Sequence, residues 1–184
     1  AVTLGITTPM TRLECYDVSH TQGEAAMGSC VVFDASGAAR DQYRRFSLRD
    51  IQSGDDYAGM DQMLRRRFRG GVSTDMAVPD VLLIDGGRGQ LNVAVNVLNE
   101  LSLGSVRVMG VAKGRDRKPG RERLYLSGRR SPVVLDPTSP ALHLVQQMRD
   151  EAHRFAISGH RAKRGRARTT SPFEGIPGVG SIRR

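Results

Sequence analysis

Two aspartates in this sequence close short apolar segments. Asp17 follows Leu13-Glu14-Cys15-Tyr16, and Asp85 follows Val81-Leu82-Leu83-Ile84. If these segments are neighbouring strands, the two carboxylates come close together. They then repel unless a positive charge lies between them, and a divalent cation is the usual one. Either aspartate alone reads as an ordinary turn cap; the pair, each at the end of an apolar run in a basic chain, reads as a metal site. A third ligand is available in Arg149-Asp150-Glu151-Ala152-His153, where His153 lies off the apolar stripe of its segment. It is either a ligand through a neutral imidazole or a histidine on a helix surface. An oxygen-rich set with one imidazole suits Mg²⁺ or Mn²⁺ better than structural zinc. The chemistry of such a centre is metal-assisted hydrolysis of a phosphodiester.

The elements that must position these residues can be read along the chain. Strand-like segments run into Asp17, over Met27 to Phe33, and over Asp41 to Leu48 with Tyr43, Phe46 and Leu48. Their short connections favour an antiparallel meander. A helix opens at Gly54-Asp55-Asp56 and ends in Arg65-Arg66-Arg67, acids first and bases last as the helix dipole prefers. Val81 to Ile84 does not alternate, which suits a strand covered on both faces. A helix from near Gln90 to Leu101 and a strand over Val106 to Ala112 complete a parallel crossover. This order lets the first and fourth strands lie side by side. The last long helix starts at Thr138-Ser139-Pro140, with Ser139 as N-cap, and carries Leu142, Val145, Met148, Ala152 and Phe155 on one face. The expected architecture is α/β: a mixed sheet of three antiparallel strands then parallel strands, flanked by helices.

The chain has 184 residues, enough for one domain, with 28 Lys+Arg against 19 Asp+Glu and a net charge of +9. No apolar run approaches the length of a membrane span, so no membrane contact is expected. Cys15 and Cys30 lack metal-ligand spacing and read as buried thiols of a reduced, cytoplasmic protein. The chain opens on Ala1 without a signal-like start and reads as part of a longer protein. A positive excess fits a nucleic-acid partner, and its placement matters more than its size. Lys113 to Arg130 holds eight Lys+Arg and two acids, and Arg161 to Arg168 is a second basic stretch. Arg88, Arg115, Arg117, Lys118, Arg121, Arg161, Lys163 and Arg164 are the candidate DNA contacts, a solvated basic surface being the plainer reading.

Other features are less specific. Gly86-Gly87-Arg88-Gly89 precedes a helix but matches neither the P-loop nor the dinucleotide fingerprint. It either lets a DNA backbone approach Asp85 or is a simple strand-to-helix turn. His20 either supports the site or only the fold.

Four motifs in order carry a resemblance: Asp17-Val18-Ser19-His20; Leu82-Leu83-Ile84-Asp85-Gly86-Gly87-Arg88-Gly89-Gln90-Leu91-Asn92; Ala112-Lys113-Gly114; and Arg149-Asp150-Glu151-Ala152-His153-Arg154-Phe155-Ala156. From about Arg12 to Gly180 the chain resembles the C-terminal half of the UvrC family, the bacterial nucleotide-excision-repair endonuclease subunits. The resemblance implies an RNase H-like endonuclease domain over 12–168 after a lead-in segment, 1–11. It implies a triad of Asp17, Asp85 and His153, and places Lys113 beside it, close to the scissile strand. It also implies incision on the 5′ side of a lesion in damaged duplex DNA, with UvrB as partner, mainly through a segment absent here, and UvrA acting upstream. The isolated domain is expected to be a monomer. Residues 169–184 form a linker and the truncated start of a helix-hairpin-helix motif at Gly175 to Gly180. Ser181-Ile182 departs there from the family's Pro-Lys.

Two rival readings remain: a catalytically silent nucleic-acid-binding module, and a phosphohydrolase acting on a small nucleotide. Paired aspartates favour an enzyme, and the basic stretches favour a polymer.

Overall fold

A computed structural model describes residues 9–20, 26–69, 77–113 and 121–169, the last ten of these as backbone only. Seven strands form one sheet: β1 (Leu13–Ser19), β2 (Met27–Asp34), β3 (Gly37–Ala38), β4 (Arg44–Ser47), β5 (Val81–Asp85), β6 (Arg107–Ala112) and β7 (Arg123–Leu126). Three helices accompany it: α1 (Asp56–Phe68), α2 (Arg88–Glu100) and α3 (Pro140–Thr169). The order across the sheet is β3-β2-β1-β5-β6-β7, with β4 also paired to β2. β1 runs antiparallel to β2 and parallel to β5, which runs parallel to β6. This is the expected mixed sheet.

Three details differ from the sequence reading. The strand expected over Asp41 to Leu48 is shortened to β4, because a single 3₁₀ turn at Arg40–Gln42 precedes it, and the two-residue β3 is an additional strand before that turn. Both strands pair with β2, at its opposite ends. Asp17 lies inside β1 rather than at its end, opposite Ser29. Helix α2 starts two residues earlier than expected, at Arg88, because Gly87 takes the cap position and its N–H donates to Gln90 Oε1 at 3.1 Å. Farther along the basic segment, β7 pairs antiparallel with β6.

Strand alternation sends neighbouring β1 side chains to opposite faces. Glu14 and Tyr16 face α1, while Asp17 faces α3. Both faces are therefore covered, which is why β5 is apolar up to Asp85 and the polar side chains of β1 and β2 within the sheet, Glu14, Asp17 and Ser29, are buried. The α1 face holds a buried charge cluster. Glu14, with no exposed surface, accepts from Arg67 Nη2 at 2.7 Å, from Arg12 Nε at 2.8 Å and from the Tyr16 hydroxyl. On the other face α3 buries Leu142, Val145, Met148 and Ala152. Its Phe155 is half-buried, with the Arg45 guanidinium 3.8 Å above the ring and Tyr43 edge-on at 5.1 Å. Gly159 lets α3 pass this close: a Cβ there would sit 2.6 Å from Met27 Sδ and 2.7 Å from Arg45 Nε. Cys15 and Cys30 are buried free thiols, as expected. No helix among the described residues is long and apolar enough to cross a membrane.

Candidate metal centre

The site lies where β1, β5, β6, α1 and α3 meet. The β1–β5 register puts Tyr16 beside Ile84, so Asp17 and Asp85, one residue on in each strand, are neighbours on adjacent strands. α3 crosses the same face, its Ala152 carbonyl accepting from Ser29 Oγ at 2.9 Å. That contact fixes His153, the next residue, over Asp17; its Nδ1 is 3.4 Å from Asp17 Oδ2. One ligand atom from each of Asp17, Asp85 and His153 lies within 4.8 Å of the others. Asp17 is 5% exposed, whereas His153 faces solvent. The three open onto a cleft of about 570 Å³ that Val18, Gly86, Val111, Ala112 and Lys113 also line.

The electrostatics are those of a site short of positive charge. Burial pushes the Asp17 carboxyl up, and the Asp56 charge adds to the shift, while His153 and Lys113 pull it back. Burial also pushes Asp85 up, to about 6, with the Asp17 charge next in weight and Arg149, His153 and Lys113 opposing. A buried and a half-buried carboxylate, the charge of Asp17 disfavouring ionisation of Asp85, with an imidazole beside them, form a donor set that fits a divalent cation.

Two cleft residues, Asp56 and Arg149, carried no such signal in the sequence. Asp56 reads there as an acid in the first turn of a helix, but its side chain turns into the cleft. Gln90 Nε2 donates to Asp56 Oδ2 at 3.2 Å, and His20 Nε2 lies 2.9 Å from Oδ1. The Gly54 N–H donates to His20 Nδ1 at 3.4 Å. His20 thus touches the site through Asp56. Arg149 and Asp150 also line the cleft. Arg149 Nη1 pairs with the buried Glu122 at 3.2 Å, and Nη2 with Asp150 at 2.9 Å. Burial works against the Arg149 charge, but these partners and Asp85 more than compensate and hold it on.

Among the expected DNA contacts, Arg88 is exposed in the first turn of α2. It donates to the carbonyls of Arg129, at 3.1 Å, and Arg130, and stacks 5.2 Å over Tyr125. Arg121 is exposed at the foot of β7. Arg115, Arg117 and Lys118 lie outside the described residues, as do the side chains of Arg161, Lys163 and Arg164, the lead-in up to residue 8, and the tail from 170. The glycine turn has packing reasons at Gly86, where a Cβ would collide with the Gln90 amide, and at Gly89, where it would collide with the Tyr57 ring; across from it a Cβ on Gly110 of β6 would sit 3.0 Å from the Gly86 carbonyl and 3.4 Å from that of Gly87.

A family model for the UvrC RNase H endonuclease domain matches residues 1–157. The chain belongs to the UvrC family. It is 52% identical over 176 residues to the UvrABC system protein C of Dechloromonas aromatica, covering 96% of this chain and 29% of that protein. It is 53% identical over 184 residues to the UvrABC system protein C of Pseudomonas fluorescens, covering 100% and 30% respectively. The chain thus spans under a third of the length of these UvrC relatives. Among solved structures it is similar to an endonuclease V from Streptomyces avermitilis, with 13% identity, 85% of each chain covered and a TM-score of 0.46. The catalytic domain of human endonuclease V gives 19% identity, the same coverage and a TM-score of 0.45. The expected UvrC resemblance and RNase H-like mixed sheet are both borne out.

Proposed function

We propose that this domain is a metal-dependent DNA endonuclease that hydrolyses a phosphodiester on the 5′ side of a lesion during nucleotide excision repair. The observation that carries the reading is the convergence of Asp17, Asp85 and His153 on one cleft. Asp17 and Asp85 through a carboxylate oxygen each, and His153 through a ring nitrogen, would hold Mg²⁺ or Mn²⁺. Such an ion supplies Lewis-acid polarisation of the phosphate and a water of lowered pKa. Lys113 lines the same cleft and offers an ammonium to the incoming phosphate. Arg149, clamped by Glu122 and Asp150, keeps a fixed positive charge near Asp85 and limits its protonation. The cleft is open, so a polymer can lie across it and solvent water can reach the phosphorus.

Damaged duplex DNA is the substrate on this reading, UvrB the partner that positions it, and UvrA acts earlier. The functional unit is residues 12–168, working in the cytoplasm, with 169–184 leading toward a helix-hairpin-helix. The test is incubation of lesion-bearing duplex with UvrB, Mn²⁺ and either this protein or its Asp17→Asn variant. Cleavage by the parent alone supports the reading. Cleavage that persists in the variant refutes the assigned site, and binding without cleavage by either protein favours a silent binding module.

A further inference from the structure

A second concave surface, of about 590 Å³, lies beyond β4 and is lined by Arg49, Arg65, Arg66 and Arg69 among others. Their charges are not equally committed. Arg65 is satisfied by Asp61, at 3.0 and 2.9 Å, and by Glu100, at 2.7 Å. Arg66 uses one nitrogen on the Ser47 carbonyl, at 2.6 Å, and lies 5.7 Å over the Phe46 ring. Arg49 has its main chain held in both directions by the Gln62 amide, at 3.0 Å each way. Among the described residues, the guanidiniums of Arg49 and Arg69 make no hydrogen bond or ion pair. The helix dipole accounts for bases in the last turn of α1. It does not account for Arg49, which comes from the segment before α1 and is fixed there by a side chain of α1.

The register places the Ser47 and Arg49 side of this surface at the cleft's end of the sheet, while Arg65, bonded to Glu100 at the end of α2, and Arg69 lie farther from the cleft. Ser47 pairs with Met27, Met27 with Ser19, and Ser19 is two residues beyond Asp17. Two strand spacings separate the β4 edge from β1, about 10 Å. Along α1, Asp56 lines the cleft and Arg69 caps the far end 13 residues on, about 20 Å at 1.5 Å per residue.

We propose that Arg49 and Arg69, beside Arg66, form a phosphate-binding site for the backbone of the DNA whose other part lies in the cleft. This rests on the DNA reading above and adds a second contact. At 3.4 Å per base pair, a separation of about 10–20 Å puts the contacted phosphates roughly three to six base pairs from the cut. The site carries no base-edge reader, so it contributes affinity and register without sequence preference.

The test compares the parent with the Arg49→Gln/Arg69→Gln double variant in the complete protein with UvrB, on lesion-bearing duplex. Each phosphate that is no longer neutralised lowers the slope of log K against log salt by about 0.9, so the slope falls by about 1.8. The expected pattern has four parts. The slope falls in the double variant; kcat at saturating DNA is unchanged; phosphate ethylation three to six base pairs from the cut stops interfering; and the matching double Lys variant keeps the parent slope. Arg107→Gln, at the opposite end of the sheet, leaves the slope alone. A double variant with the parent's slope, from a parent that cleaves, overturns this site and leaves the DNA reading intact. A loss of kcat with an unchanged slope overturns it as well, since the arginines are then structural. A parent that shows no salt-dependent DNA binding overturns the DNA reading and this site with it.

Discussion

Replacing Asp85 by Asn should stabilise the metal-free protein while abolishing its activity. Burial and the Asp17 charge hold the Asp85 carboxyl at about 6, against an ordinary 3.8. That gap of about two pH units, at 1.36 kcal/mol each, corresponds to about 3 kcal/mol lost when Asp85 ionises in the folded protein. The pH window follows from the sign. Below pH 3.8 the proton is on in both folded and unfolded chains, so nothing is lost. As pH rises from 3.8 to about 6 the unfolded chain releases its proton first, and stability falls. Above about 6 the loss is complete and constant. An asparagine removes it while keeping the side chain's shape. Urea unfolding in EDTA should show Asp85→Asn more stable than the parent by up to about 3 kcal/mol at pH 8, with the difference gone by pH 3.5. Other carboxyls titrate in both proteins and cancel. Saturating Mn²⁺ should reverse the ranking, because binding at 1,000 times Kd adds about 4.1 kcal/mol to the parent alone. An Asp85→Asn protein no more stable than the parent at pH 8 would refute the picture of two carboxylates held close against their repulsion.

Three further outcomes follow from the geometry. His153→Ala removes an exposed ligand without disturbing the core, so cleavage should drop on the order of 10²-fold or more while the thermal midpoint stays within a degree or two, read by cleavage kinetics and calorimetry. Gly110→Ala places a methyl against the Gly86 and Gly87 carbonyls, and should cost about 1–3 kcal/mol in urea unfolding and slow cleavage by shifting the turn after Asp85. Arg67→Met strips the buried Glu14 of one of its two arginines; about 3 kcal/mol of stability should be lost in chemical denaturation, with kcat of the folded fraction unchanged.

Much of the site was legible because the Val81 to Ile84 run, without alternation, suits a strand covered on both faces. Three antiparallel strands followed by a parallel one let the strands carrying Asp17 and Asp85 lie side by side, as they do. His153 was legible as a polar residue off the apolar stripe of α3. What escaped the sequence depends on contacts between distant residues. Asp56 reads as a helix-dipole acid, and only the meeting of α1 with the cleft, braced by Gln90 and His20, makes it part of the site. Arg149 reads as one more base until Glu122, 27 residues earlier within the basic segment, turns it inward. Glu14 and Arg67 are separated by 53 residues, and nothing local marks them as a buried pair. The additional strand β3 escaped too, since a Gly37-Ala38 strand of two residues has no periodicity to read.

The central claim is that Asp17, Asp85 and His153 hold one divalent cation between them. Crystals of this protein soaked in Mn²⁺, with anomalous scattering measured at the manganese edge, test it most directly. The expected result is a peak at bonding distance from all three side chains, absent from Asp17→Asn crystals. A peak elsewhere, or Mn²⁺ that binds equally well in the variant, would contradict it.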